Sequence, residues 1–338
     1  MGAPRLEIDL GKIHHNAQTL VGRLAARGIS MTGVTKATLG SPEIAAAWLR
    51  AGVSGLGDSR IENIEAMRDA QVATSMMLIR SPMLSQIERV VMHADTSFNT
   101  ELAGIRRLSS AAQKAKRVHG VVLMVELGDL REGIMPDDLE SVVREIIQLP
   151  NIQLKGIGTN LACRCGVAPD ANNMAALSSL VDSIEARFGM TLSIVSGGNS
   201  ANLEWALSGA DIGRINDLRL GESLLLGCEP LHRQPIEGLY TDAITLVAEV
   251  IESKLKPSQP WGKVGQNAFG EMPSISNRGN IAQTILAIGH QDVDPSGLQL
   301  PSGINNHPQS GWYDESPQRG LCHSPASLIC SWRFSSRS

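Results

Sequence analysis

The 338-residue chain is poor in aromatic residues, which make up 3% of it, and has two tyrosines and five cysteines. An odd number of cysteines at irregular spacing does not suit a disulfide framework and is typical of reduced thiols in a cytoplasm. Every long apolar run is broken before membrane-spanning length, and no apolar leader segment precedes the first predicted strand. We therefore expect a cytoplasmic protein with no membrane partner.

The chain also lacks a large excess of charge of either sign. The formal net charge is −4, and the basic residues are scattered along the chain, which argues against a nucleic-acid partner. A hydrophobic content of 42% over this length is enough for a large core and predicts two domains.

Strand and helix patterns alternate from residue 30 to about residue 219. The predicted strands lie near 30–36, 55–58, 76–79, 91–96, 121–126, 154–159, 192–197 and 215–219. Several of them are apolar on both faces, as in Val121-Val122-Leu123-Met124-Val125, which is expected where helices cover a parallel sheet. About eight such units predict an α/β fold, a (β/α)8 TIM barrel. An open doubly wound sheet is the alternative, but no early G-x-G-x-x-G fingerprint supports it.

The pattern changes after Gly227. The sequence predicts a barrel domain over 1–229, which includes an N-terminal strand at 6–10, and an incomplete, mostly β domain over 230–304. The segment 305–338 is rich in Ser, Pro, Arg and Trp and has no usable period. We expect an irregular, disordered tail there.

Lys36 ends the first barrel strand. Ser41 and Pro42 then predict a helix start, because serine is a good N-cap and proline suits the first helical position. A lysine at this point faces the mouth of the barrel, where desolvation would help an amine to attack an aldehyde. The alternative is a strand-end lysine that merely reaches water.

Two further stretches follow the last two strands. They are Ser196-Gly197-Gly198-Asn199-Ser200 and Asp217-Leu218-Arg219-Leu220-Gly221-Glu222-Ser223. Each opens a helix, and loops at these two places customarily hold phosphate in this architecture. The alternative for each is a turn with a capping serine.

These segments, with Leu6-Glu7-Ile8-Asp9-Leu10 and Val34-Thr35-Lys36, resemble the alanine racemase fold, the barrel class of pyridoxal-phosphate enzymes. The segments 156–163, 196–200 and 287–294 are similar to its ornithine/lysine racemase branch. The resemblance covers roughly residues 5–300. It implies pyridoxal 5′-phosphate as cofactor, an amino-acid substrate and a homodimer.

The resemblance also implies residue roles. Lys36 would carry the internal aldimine and act as base on one face of the α-carbon, and Arg131 would steady the ring hydroxyl. Arg219 would face the pyridine nitrogen, where a permanent cation disfavours a second proton. The other residues implied to bind the cofactor are Thr159, Asn199, Ser200, Gly221 and Glu222. The alternative for Arg131 is a surface partner of Glu132.

Racemisation needs proton exchange on both faces of the carbanion. Alanine racemases use a tyrosine from the partner subunit, but Tyr240 and Tyr313 do not lie in that motif. Cys163 is a candidate by position, and His290 and Asp292 are alternatives. No metal is expected, because the two thiols of Cys163-Arg164-Cys165 lack nearby histidines.

The sequence therefore predicts a racemase of a basic amino acid, lysine or ornithine. Asp129 or Glu222 would meet the side-chain ammonium of the substrate. The alternatives are a non-catalytic pyridoxal-phosphate homeostasis protein, a racemase of alanine or serine, and a lyase of the D-threonine aldolase kind.

Overall fold

The structure is a computed structural model. It describes residues 4–270, 272, 276–294 and 297–298, together with the strands Ile304–His307, Gly311–Asp314 and Leu328–Ser331. The chain divides into two compact units, Leu10–Tyr240 and the combination of Met1–Asp9 with Thr241–Ser338.

The first unit is a closed barrel of eight parallel strands, which confirms the predicted TIM barrel and excludes the open sheet. The barrel strands, in order, are β2 (Ser30–Val34), β3 (Gly55–Asp58), β4 (Met76–Leu78), β5 (Thr96–Asn99), β6 (His119–Met124), β7 (Ile152–Gly158), β8 (Ile194–Ser196) and β9 (Asp217–Leu220). β2 pairs with β9, and this pairing closes the ring.

Amphipathic helices connect the strands and bury one apolar face each. They are α1 (Leu10–Ala25), α2 (Pro42–Arg50), α3 (Ile61–Asp69), α4 (Ile87–His93), α5 (Leu102–Ala115), α6 (Leu139–Ile146), α7 (Ala171–Phe188), α8 (Leu203–Leu207) and α9 (Glu222–Leu226). As predicted, Ser41 caps α2 by accepting from the Ile44 N–H, with Pro42 in the first turn.

One predicted strand is wrong. The sequence placed a strand at 91–96, but residues up to His93 belong to α4, and the strand is β5 (Thr96–Asn99). Ile87, Val90 and Val91 are buried at helical spacing. A short apolar run such as Val90-Val91 fits either period, and helical packing decides it here.

The barrel interior holds an apolar cluster. Phe98, Val122 and Met124 form its buried part, and Met77, Ile79 and Ile194 pack against it. Because side chains two apart on a strand share a face, the polar Ser196 follows Ile194 on that side of β8. Phe98 and Met124 lie at or next to the carboxyl-terminal ends of β5 and β6, so the apolar cluster adjoins the polar ends of the strands.

The second unit is rich in β structure, as expected. β1 (Arg5–Ile8) and β10 (Ile244–Ala248) form an antiparallel pair that continues to Leu328–Ser331. β11 (Val250–Pro257) and β12 (Asn280–Leu286) form a second antiparallel sheet with two further strands.

Two boundaries differ from the sequence analysis. The first strand, which we grouped with the barrel, pairs within the second unit, and the division between units falls after Tyr240 instead of after 229. The segment 305–338 contains two whole short strands, Gly311–Asp314 and Leu328–Ser331. Its other residues beyond His307 lie outside the described ones, so the predicted disorder stays a prediction. Within the described residues, no helix is long and apolar enough to cross a membrane.

A buried histidine lies at the amino-terminal end of β6, the end of the barrel opposite the strand ends that carry Lys36 and Arg219. His119 is 1% exposed, and its Nε2 lies 2.8 Å from Ser97 Oγ. Burial lowers the pKa of His119 to about 4, because the imidazolium ion loses its hydration. The folded protein therefore holds this side chain neutral over a range in which the unfolded chain takes up a proton.

We expect the free energy of unfolding to fall as the pH drops from about 6.5 to about 4. His119 alone accounts for about 3 kcal/mol of this loss, since its folded-state pKa is below the unfolded value. Chemical denaturation of His119→Asn at pH 7 and pH 4 should show a pH dependence smaller by that amount. The exposed His232→Asn should match the parent, and an equal response of both variants contradicts the assignment.

Candidate active site

The carboxyl-terminal ends of the barrel strands hold the site residues. Lys36 stands two residues after β2, at the start of a short helical turn, Lys36–Thr38. Lys36 is exposed, so the desolvation expected from the sequence is not observed. Its side chain forms no hydrogen bond or ion pair with the described residues.

Thr35 fixes the backbone immediately before this lysine. Its hydroxyl donates to Asp58 Oδ2 at 2.7 Å, and its N–H donates to the Gly57 carbonyl at 2.9 Å. Burial raises the pKa of Asp58, while hydrogen bonds from Thr35, the Arg60 N–H and Asn63 oppose the rise. β2 is thereby tied to β3 at the point where Lys36 leaves the strand.

Arg219 lies inside the barrel near the end of β9. It is 5% exposed, and its guanidinium carbon lies 5.0 Å from the centre of the Phe98 ring. Nη1 donates to Ser196 Oγ at 2.5 Å, and Nη2 donates to the Thr159 carbonyl at 2.9 Å and to Asn160 Oδ1 at 3.2 Å. Burial lowers the pKa of Arg219, and the charge of Asp217 opposes that shift.

Asp217 is buried two residues before Arg219, on the same face of β9. Its carboxylate accepts from Ser196 Oγ at 2.5 Å and from Thr32 Oγ1 at 2.8 Å. Burial raises the pKa of Asp217, while the bond from Ser196 and the charge of Arg219 lower it. β2, β8 and β9 are therefore joined by one chain of polar side chains.

Two buried hydroxyls lie on the segments that follow β8 and β9. Ser200 Oγ accepts from the Ser223 N–H at 3.3 Å, and Ser223 Oγ has no partner among the described residues. The neighbouring Gly221 passes close to β2, since a Cβ there would lie 2.8 Å from the Val34 carbonyl oxygen. Any side chain at 221 would push this turn away from the strand that leads to Lys36.

Asn199 links the loops that follow β7 and β8. Its Nδ2 donates to Asn160 Oδ1 at 3.1 Å and to the Leu161 carbonyl at 2.9 Å, and it lies 3.4 Å from Cys163 Sγ. The Thr159 hydroxyl donates to the Val125 carbonyl. Both side chains thus hold neighbouring backbone in place, and their predicted contact with a cofactor stays a prediction.

Asp129 shapes the loop that carries Cys163. Its carboxylate accepts four backbone N–H groups, those of Cys163, Arg164, Cys165 and Val167, at 2.8 to 3.3 Å. Burial raises the pKa of Asp129, but the four donors outweigh it, and the net shift is downward. Glu126 accepts from Gly128, Leu130 and Arg131 in the same way.

Comparison with known proteins agrees with this geometry. The family model for the alanine racemase N-terminal domain matches residues 8–229. The chain belongs to the alanine racemase family. It is 40% identical to an ornithine racemase of Acetoanaerobium sticklandii, over 87% of this chain and 83% of that protein. It is 37% identical to a lysine racemase of Thermotoga maritima, over 87% and 82%.

Solved structures show the same fold. An alanine racemase from Streptomyces coelicolor superimposes with a TM-score of 0.74 at 18% identity, over 98% of this chain and 89% of that one. At this identity the likeness concerns the fold alone.

Several residues predicted for this family member have other roles in the structure. Asp129 accepts four backbone N–H groups, and its predicted contact with a substrate ammonium stays a prediction. Glu222 pairs with Arg233 at 3.0 Å. Arg131 pairs with Glu132 at 2.7 Å, with both side chains partly exposed, as in the alternative weighed from the sequence. By their charges, Glu132 raises the pKa of Arg219 and Arg131 lowers it.

Three other residues were considered for the second base. Tyr240 packs on α1, with its ring 4.9 Å from that of His15. His290 and Asp292 belong to the second unit, where His290 contacts Phe269. Among the described residues, no group of three His, Cys, Asp or Glu side chains could hold a metal ion.

Sequence reasoning missed the roles of Ser196, Asp217, Thr32, Asn160 and Ser223. One signal was available, since Asp217 and Arg219 alternate with the apolar Leu218 and Leu220 along a strand that is buried throughout. Charged residues at positions 217 and 219 share a face, and in a closed barrel that face can be the interior. The contribution of Thr32 depends on closure between the first and last barrel strands.

We expect Asp129→Asn to loosen the loop at 163–167, because an amide offers one acceptor oxygen to four donors and turns an N–H group towards the others. Hydrogen exchange at these amides should speed up by roughly 10-fold or more. The matched control is Glu126→Gln, which should affect only Gly128, Leu130 and Arg131. Unchanged exchange at 163–167 in the first variant contradicts the assignment.

Proposed function

We propose that this chain is a pyridoxal-phosphate-dependent racemase of a basic amino acid, ornithine or lysine. One observation carries the proposal: β2 pairs with β9, so Lys36 follows one strand while Arg219 and the Gly221 turn belong to its neighbour. The similarity to an ornithine racemase and a lysine racemase over 87% of the chain supports the substrate class.

The residues present fit pyridoxal 5′-phosphate. Ser223 offers a buried hydroxyl with no described partner, and Ser200 accepts one N–H and keeps its own O–H to donate. These two hydroxyls, together with the Gly221 turn that passes close to β2, suit an anionic phosphate. Arg219 suits a ring nitrogen, and the amine of Lys36 suits an aldehyde.

When bound, pyridoxal 5′-phosphate withdraws electron density from the α-carbon of an amino acid and makes its hydrogen acidic. Lys36 would take that proton on Nζ and return it on one face. The Arg219 cation would disfavour a proton on a ring nitrogen facing it. Cys163 remains our candidate for the base on the opposite face. Its thiol is exposed and lies 3.4 Å from Nδ2 of Asn199, which we expect to bind the cofactor.

Incubation with L-ornithine or L-lysine in deuterated water tests the proposal. The protein should place deuterium on the α-carbon and form the D-enantiomer. In Lys36→Ala, the rates of deuterium incorporation and of D-enantiomer formation should fall by roughly 100-fold or more, because the change removes the base. This variant should also lose the visible absorbance of bound cofactor. Lys114→Ala, on the exposed face of α5, is the matched control.

A parent protein without α-proton exchange on either substrate contradicts the racemase. A Lys36→Ala variant as yellow as the parent contradicts the role of this lysine.

We also propose that the protein is a homodimer whose second copy covers the barrel mouth. Large apolar side chains are exposed on loops that follow β2, β4 and β6. They are Leu39, Met83, Leu84, Leu130 and Met135, with Leu39 75% exposed. Apolar residues grouped at one end of a barrel indicate a protein interface.

Replacement of Leu130 and Met135 together by aspartate should convert the dimer to monomers, since a buried unpaired charge is costly. Sedimentation velocity measures the change as a fall to half the mass. The exposed Met92→Asp on α4 is the control and should leave the mass unchanged. A parent that sediments as a monomer, or a dimer that survives the double change, contradicts this interface.

A further inference from the structure

We propose that Asp217 is a positioning residue, which acts through the Ser196 hydroxyl to hold the Arg219 guanidinium in one orientation towards a ring nitrogen. The inference rests on the proposed function, because the ring belongs to the proposed cofactor. It adds a role for two side chains that would not touch the cofactor themselves.

The direction of each hydrogen bond is fixed by chemistry. A guanidinium has only donors, so Ser196 Oγ must accept from Arg219 Nη1, at 2.5 Å. The single hydroxyl proton of Ser196 is then given to Asp217 Oδ2, also at 2.5 Å. Thr32 donates to the other carboxylate oxygen at 2.8 Å. Asp217 therefore orients the serine so that its lone pairs face the arginine.

Ser196 fixes one end of the guanidinium plane. The other end is fixed by Nη2, which donates to the Thr159 carbonyl and to Asn160. The Phe98 ring lies against the group at 5.0 Å. Two anchored ends define one orientation, and with the Ser196 bond lost the plane could turn about Nη2.

The serine also keeps the two charges apart. Within the described part of the chain, no direct ion pair joins Asp217 to Arg219. A direct fork-to-fork pair would use two N–H groups of the guanidinium. With the hydroxyl between them, Asp217 still offsets the buried positive charge, while Nε and one hydrogen of Nη1 keep no described partner. Those donors remain for a ligand.

The test compares two ligands that differ only at the ring nitrogen. The full-length chain, freed of cofactor, is titrated with pyridoxal 5′-phosphate and with 1-deazapyridoxal 5′-phosphate, in which C–H replaces that nitrogen. We expect the parent to prefer the first ligand by about tenfold or more, because one charge-assisted hydrogen bond is at stake. Ser196→Ala and Asp217→Asn should reduce this preference to within about threefold.

Thr32→Val is the matched control. It removes a buried hydrogen bond to the same carboxylate. The Thr32 side chain makes no described hydrogen bond to Ser196 or Arg219, so the ligand preference should stay at the parent value. Thermal unfolding of each cofactor-free variant checks that all are folded. A role confined to stability would lower the melting temperature of all three without changing the preference.

The outcomes separate the two proposals. If the parent does not bind pyridoxal 5′-phosphate, the proposed function fails. If it binds but shows no preference over the deaza ligand, the positioning role fails and the function stands. The role also fails if Ser196→Ala keeps the preference, or if Thr32→Val loses it equally.

Discussion

The burial of one arginine inside the barrel is the constraint on which the site depends. A guanidinium at this depth requires acceptors on several sides, and β8 and the loop after β7 supply them through Ser196, Thr159 and Asn160. The carboxylate of Asp217 in turn takes a bond from Thr32 on β2, the strand that leads to Lys36. Closure of the ring between β2 and β9 is therefore what connects the charge of Arg219 to the neighbourhood of the lysine.

Acidic residues at this end of the barrel shape loops. Asp129 and Glu126 each accept several backbone N–H groups of one loop, and Asp58 ties Thr35 to the start of α3. The negative charge of carboxylates used in this way is spread over several donors. The groups left for ligands are an amine, a guanidinium and hydroxyls, a set that suits an anionic cofactor.

The sequence was most informative where neighbouring residues alone decide the start or end of an element. Ser41 and Pro42 fix the start of α2, and with it the end of the strand before Lys36. It was least informative where distant residues decide. Val90 and Val91 fit a strand or a helix until packing selects the helix, and Asp129 finds its first donor 34 residues later in the chain. The exposure of Lys36 depends on what covers the barrel mouth, which local pattern cannot reveal.

The pairing of β1 with β10 has a consequence for synthesis on the ribosome. β1 emerges before the barrel, yet its partner β10 follows the barrel. The nascent chain must carry an unpaired strand edge while the ring assembles, and such edges favour association with the wrong neighbour. Arg5 and Glu7, the two charged residues of β1, are bonded to each other and lessen that hazard until β10 is made.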